Sequence, residues 1–69
     1  MKLSARNILK GRIIDVTKGA TTAHVKIDVG GQTVTSAITN EAVEELKLAK
    51  GQMAYAVIKA SDVMIAVDS

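Results

Sequence analysis

The 69-residue sequence has no cysteine, proline, tryptophan or phenylalanine, one tyrosine (Tyr55) and one histidine (His24). Each absence removes a class of function. Without cysteine there is no disulfide and no thiolate metal site, and a lone imidazole cannot assemble a zinc cluster, so no directly coordinated metal cation is expected. One His and no Cys also leave no way to build a nucleophile, a base and a group that orients the base. The acidic cluster Glu41, Glu44, Glu45 has no second carboxylate group placed opposite it for paired acid–base work. No catalytic residue is expected, and the chain reads as a non-enzyme. No apolar run approaches the ~20 residues that span a bilayer, and no apolar h-region follows Met1, Lys2, Leu3 and Ser4, so the expectation is a cytoplasmic protein without a membrane partner.

What is present is aliphatic. Hydrophobic residues make up 48% of the chain while only 1% are aromatic, so Val, Ile, Ala, Leu and Met must do the packing. A single core of this size supplies roughly 3–5 kcal/mol, and small domains usually add a staple. With disulfides and metals excluded, oligomerisation through aliphatic faces is the remaining route. The formal charge of +2 and the pI near 9.2 are compatible with nucleic acid, an anionic surface or a small anion, and select none of them.

The periodicity reads as β-β-β-α-β-β. Ile8 to Val16 is β-branched and apolar with charges interleaved, and Lys18–Gly19 marks a turn. Ala23, Val25, Ile27 and Val29 alternate with His24, Lys26 and Asp28, which predicts a half-buried strand with His24 pointing away from the core. Gly30–Gly31 offers the positive φ values of a two-residue hairpin. A third strand follows from Gln32 to Ile38, with Val34, Ser36 and Ile38 on one face and Thr33, Thr35 and Ala37 on the other. Thr39 can cap a short amphipathic helix carrying Ala42, Val43, Leu46 and Leu48, which Lys50–Gly51 is expected to stop. Met53 to Ala60 and Asp62 to Val67 read as the fourth and fifth strands. The fold class expected is all-β: a small five-stranded OB-like Greek-key barrel with one short helix between strands 3 and 4, forming a single domain over residues 1–69.

Many such barrels bind single-stranded nucleic acid by stacking bases on aromatic side chains above a basic groove. One Tyr and two Arg make a thin footprint for that, so nucleic acid is disfavoured as a partner. Two short segments are richer in chemistry. Ser4, Ala5, Arg6 and Asn7 lie before the first strand; Lys59, Ala60 and Ser61 lie between the fourth and fifth. Together they offer two cationic side chains, two hydroxyls, an amide and main-chain N–H groups with no intervening carboxylate, the chemistry of an anion site. Taken singly, each reads as an ordinary polar turn. The hydroxyl-bearing turn Gly19, Ala20, Thr21, Thr22 could likewise form an anion nest, although it lacks the spacing and lysine of a Walker phosphate loop.

The segments Ser4-Ala5-Arg6-Asn7, Leu9-Lys10-Gly11, Gly30-Gly31, Ile38-Thr39 and Ile58-Lys59-Ala60-Ser61-Asp62-Val63 together closely resemble the molbindins, small Mop-type molybdate-binding proteins. The resemblance covers essentially the whole chain. It implies a cytoplasmic protein that binds molybdate, and tungstate similarly, as a ligand without an organic cofactor, in a role of storage or buffering within metal homeostasis. It also implies a homohexamer built as a trimer of dimers, the free-standing form of the module, with oxyanion sites between subunits. Carried over residue by residue, one kind of site falls on Ser4, Arg6, Asn7, Lys59, Ala60 and Ser61, and the two segments are expected to meet across a subunit boundary. A second kind falls on Gly19, Ala20, Thr21 and Thr22, with His24 and Lys26 as neighbours. The alternatives kept open are a small interaction module for single-stranded nucleic acid, and a binder of a pterin cofactor.

Overall fold

The computed structural model describes residues 2–68; Met1 and Ser69, the two ends of the expected domain, lie outside the described residues. The elements run β1 (Asn7–Lys18), β2 (Thr22–Asp28), β3 (Thr33–Thr39), α1 (Asn40–Leu46) and β4 (Met53–Ile58), followed by one 3₁₀ turn at Ala60–Asp62. The strands form one sheet in the order β3-β2-β1-β4, and every neighbouring pair is antiparallel.

β1 is the hinge of the architecture. Its first half pairs with β4, from Asn7↔Ile58 to Arg12↔Met53, and its second half pairs with β2, from Arg12↔Asp28 to Lys18↔Ala23. Two features let one strand serve both partners. The register shifts between Ile13 and Asp15, and such a bulge sharpens the local twist. One turn of the pleat earlier stands Gly11, where a Cβ would lie 2.3 Å from the Asp28 carbonyl oxygen and 2.7 Å from Ile27 Cγ2. No residue with a side chain fits that approach, so the curl of the sheet is written into a single glycine.

The inward faces follow the expected alternation. Ile13 of β1, Ala23, Val25 and Ile27 of β2, Val43 of α1 and Ala56 of β4 are buried, with Val16, Val34, Ile38 and Leu48 packed around them. No polar or charged residue is buried as a whole among those described, so the central core is apolar throughout. The β2–β3 hairpin closes as the glycines predict: Gly30 and Gly31 take φ of 76° and 93°, and the Val29 N–H donates to the Gln32 carbonyl at 2.8 Å. Thr39 caps α1, its Oγ1 accepting from the Ala42 N–H at 3.0 Å.

Three expectations need correction. First, the helix does not run on to Lys50–Gly51. It ends at Leu46, with Lys47 in the left-handed region at φ 52°, and the N–H groups of Lys47 and Leu48 return to the Glu44 and Val43 carbonyls, both at 3.1 Å. That is the closing pair of a Schellman motif, formed here without glycine. Gly51 serves the turn into β4, donating to the Ile13 carbonyl at 2.8 Å. Second, β4 stops at Ile58, and Ala60 belongs to the 3₁₀ turn. Third, the fifth strand is absent: the sheet has four strands, and residues 63–68 have no regular structure. Alternation of apolar residues supplies the propensity for a strand, yet a strand exists only where a neighbour takes up its N–H and C=O groups. This segment has no such neighbour within the chain.

Candidate functional site

The first candidate constellation is assembled by the β1–β4 ladder. Asn7 opens β1 and is the partner of Ile58, the last residue of β4. Its side chain reinforces that rung, Nδ2 donating to the Ile58 carbonyl at 3.2 Å. The chain segments flanking the rung are Ser4 to Arg6 on one side and Lys59 to Ser61 on the other, so the two donor-rich segments adjoin. Within one chain this rung already places the two segments next to each other in the fold. The long-range pairing of β1 with β4 does this, and sequence spacing alone could not show which chain supplies the partner strand.

Ser4, Arg6, Lys59, Ala60 and Ser61 are all exposed, and Asn7 is half-buried. The turn after β4 is wound by its own backbone: the Asp62 N–H donates to the Lys59 carbonyl at 2.9 Å and the Val63 N–H to the Ala60 carbonyl at 3.2 Å. These bonds use neither the Ala60 nor the Ser61 N–H. Among the described residues the one ion pair joins Lys18 to Glu44, so neither Arg6 nor Lys59 is held by a carboxylate. The two segments that flank the rung therefore carry a guanidinium, an ammonium, two hydroxyls and an amide between them, a set that donates far more than it accepts.

The second constellation is gathered only in part. Gly19 to Thr22 form the β1–β2 turn, but the Gly19 N–H is spent on the Thr22 carbonyl at 2.8 Å. Beneath the turn lies Asn40, which the sequence reading did not single out. Its Nδ2 donates to the Gly19 carbonyl at 2.9 Å and its backbone N–H to the Thr21 carbonyl at 2.9 Å, while its Oδ1 is buried with no hydrogen-bond partner. The only signal available for it was its place beside the capping Thr39. His24 is exposed on the outer face, as expected, across from Thr17 and Ala37. Lys26 stands directly across from Asp15, a carboxylate that opposes an anion there. An acceptor under the turn and an acid beside the lysine make this the poorer anion site of the two.

No group of three or more His, Cys, Asp or Glu side chains among the described residues could hold a metal ion, and no helix among them is long and apolar enough to cross a membrane.

A curled four-stranded sheet with one helix on its rim defines a small β module, and the chain belongs to the TOBE domain family, whose model matches residues 3–65. Its relatives carry the molbindin resemblance. It is 48% identical over 69 residues, covering 99% of this chain and all of the other, to a protein of Haemophilus influenzae described as a probable molybdenum-pterin-binding protein. Among solved structures it is similar to a molybdate-binding protein from Sporomusa ovata, with a TM-score of 0.93 and 31% identity over 97% of this chain and all of that one. It also matches the cytoplasmic molybdate-binding protein ModG in a molybdate-bound form, with a TM-score of 0.89 and 49% identity over 93% of this chain and 46% of the ModG chain.

Proposed function

We propose that this chain binds molybdate, and tungstate in the same way, at the junction of Ser4, Arg6 and Asn7 with Lys59, Ala60 and Ser61. The whole described chain acts as one Mop module in a cytoplasmic homo-oligomer that stores or buffers the ion and catalyses nothing. The observation that carries the reading is the Asn7↔Ile58 rung, which sets the two donor-rich segments side by side. Support also comes from relatives named for molybdate.

The chemistry fits the ligand. A tetrahedral dianion presents acceptors in every direction and calls for donors from several. Arg6 offers a planar fork and Lys59 a point charge, while Ser4, Ser61 and the amide of Asn7 set orientation. A site so rich in donors also discriminates. Molybdate carries no proton at neutral pH, whereas phosphate is partly protonated, and its O–H would take up one of the few acceptors of a site built mainly of donors. Sulfate, also unprotonated, is rejected only by size, since its shorter bonds leave some donors out of reach. Calorimetric titration with molybdate, tungstate, sulfate and phosphate tests this directly: tight binding of the first two and weak binding of the others is expected, and comparable affinity for all four would refute the selectivity.

A pterin is the second reading, favoured by the description of the Haemophilus influenzae relative. The sole aromatic residue, Tyr55, pairs with Lys10 in the middle of the β1–β4 ladder, three residues from the end of β4, and so gives the junction no ring to stack on a pterin. Titration with a pterin alone is expected to give no heat.

A further inference from the structure

The last rung of the β1–β4 ladder is held in a way that the other rungs are not. Asn7 and Ile58 are backbone partners, and the Asn7 side chain adds a second tie, its Nδ2 donating to the Ile58 carbonyl at 3.2 Å. End rungs need such help. An interior rung has bonded neighbours on both sides, whereas the terminal one has them on one side only, so ladders fray from their ends. Fraying here reaches the site, because Ser4 to Arg6 run out from one member of the rung and Lys59 to Ser61 from the other. Any opening of Asn7 from Ile58 moves the two donor segments apart.

The turn beyond the rung is closed on itself, by the Asp62 N–H on the Lys59 carbonyl and the Val63 N–H on the Ala60 carbonyl. Lys59, by contrast, is extended at φ −62° and ψ 133°, with no side-chain cap on the turn it opens. The turn therefore pivots as a unit at the Ile58–Lys59 peptide. Asn7 grips the carbonyl of that peptide, and because the peptide is planar and trans, fixing its carbonyl also fixes the direction of the Lys59 N–H. Burial sets Asn7 apart as well: it is half-buried, while Ser4, Arg6, Lys59, Ala60 and Ser61 are exposed. The exposed groups can follow a ligand, and Asn7 holds the frame they follow it from.

We infer that Asn7 is a positioning residue: acting through the Ile58 carbonyl, it fixes the gap between Ser4–Arg6 and Lys59–Ser61, and that gap decides which tetrahedral dianion fits. The inference rests on the oxyanion reading of the junction and adds to it the source of its size selectivity. Charge and donor count do not separate molybdate from sulfate, since both are unprotonated dianions presenting the same tetrahedral set of acceptors. A braced span does. Donors held at a fixed separation reach the larger ion and miss the smaller, whereas a loose pair closes on either and must be ordered at the expense of affinity.

The experiment titrates the full wild-type chain, Asn7→Ala, Asn7→Asp and Arg6→Ala with molybdate and with sulfate by calorimetry. Arg6→Ala removes a charge that attracts both ions, so both affinities are expected to fall together and their ratio to hold. Asn7→Ala is expected to lower the molybdate-to-sulfate ratio by about tenfold or more, the scale on which fit alone discriminates, with the loss falling on molybdate. Asn7→Asp keeps the shape but puts an acceptor where the donor was, and the ratio should fall there too. A ratio retained in either Asn7 variant, or lost equally in Arg6→Ala, overturns the inference and leaves the oxyanion reading standing. A wild type that takes up neither ion overturns that reading and the inference together, and it is seen before any variant is compared. The ligand-free protein supplies a second readout: in ¹⁵N–¹H spectra of Asn7→Ala the amide signals of Lys59 to Asp62 are expected to shift or broaden while those of Gly30, Gly31 and Thr39 stay in place. Turn signals that do not move would show that Asn7 braces nothing, and would likewise overturn the inference.

Discussion

The β1–β2–β3 half of the molecule and its β1–β4 half are built from the same strand, yet they differ in completeness. In the first half Ile13, Ala23, Val25 and Ile27 are buried, Val43 of the helix covers them, and hairpin, cap and turn all close within the chain. In the second half only Ala56 is buried. Met53, Tyr55 and Val57 on the outer side of β4 stay exposed, as does the apolar segment beyond it. The donor-rich junction sits at the far end of this less finished half. The contrast teaches that the packed core is concentrated around β2, while the donor-rich junction proposed as the site lies in the half whose apolar surface the chain leaves open.

The comparison can be broken most forcefully at the seam. Gly11→Val forces side-chain atoms into the Asp28 carbonyl, so the two halves can no longer share β1. A loss of about 3 kcal/mol or more is expected in chemical denaturation, and near-native stability would mean that β1 does not need its tight curl.

The next effect separates binding from folding. Arg6→Ala removes an exposed charged donor from the open half and is expected to weaken molybdate binding by about 10- to 100-fold, corresponding to the ~1.5–3 kcal/mol of a charge-assisted hydrogen bond. The melting temperature without ligand should be unchanged. A variant that binds normally would show that the site has been placed on the wrong residues.

Thr39→Ala acts the opposite way. It deletes the acceptor for the Ala42 N–H in the finished half and should cost about 1 kcal/mol of stability while leaving molybdate affinity alone. Equal loss of both would show that the halves are coupled.

The smallest effect belongs to Lys18→Ala. The ion pair with Glu44 has side chains 44% and 68% exposed, and salt screens such pairs, so less than about 0.5 kcal/mol is expected in denaturant titrations. The same variant should leave molybdate affinity unaltered, because Lys18 adjoins the second turn and not the junction.

The finished half was the legible one. Period-2 alternation in Ala23 to Val29, paired glycines at positions 30 and 31 and a capping Thr39 are local signals, and local geometry satisfies each of them. What escaped the sequence depends on partners distant in the chain. The bulge near Ile14, the left-handed Lys47 and the bracing of the Gly19 turn by Asn40 arise from tertiary contacts that leave no periodic trace. The tail from Val63 to Val67 has the pattern of a strand and lacks only a neighbour, which no pattern can report. Of the site, the residue types of both segments were legible, but their adjacency follows from the Asn7↔Ile58 rung, and that required the fold.

The central claim is that the open half holds an oxyanion in an assembled protein, and native mass spectrometry of the full chain with and without added molybdate tests it most directly. The expected spectrum is an oligomer that gains the mass of whole molybdate ions and retains them at concentrations where sulfate is lost. A chain that stays monomeric and takes up no molybdate would contradict the account.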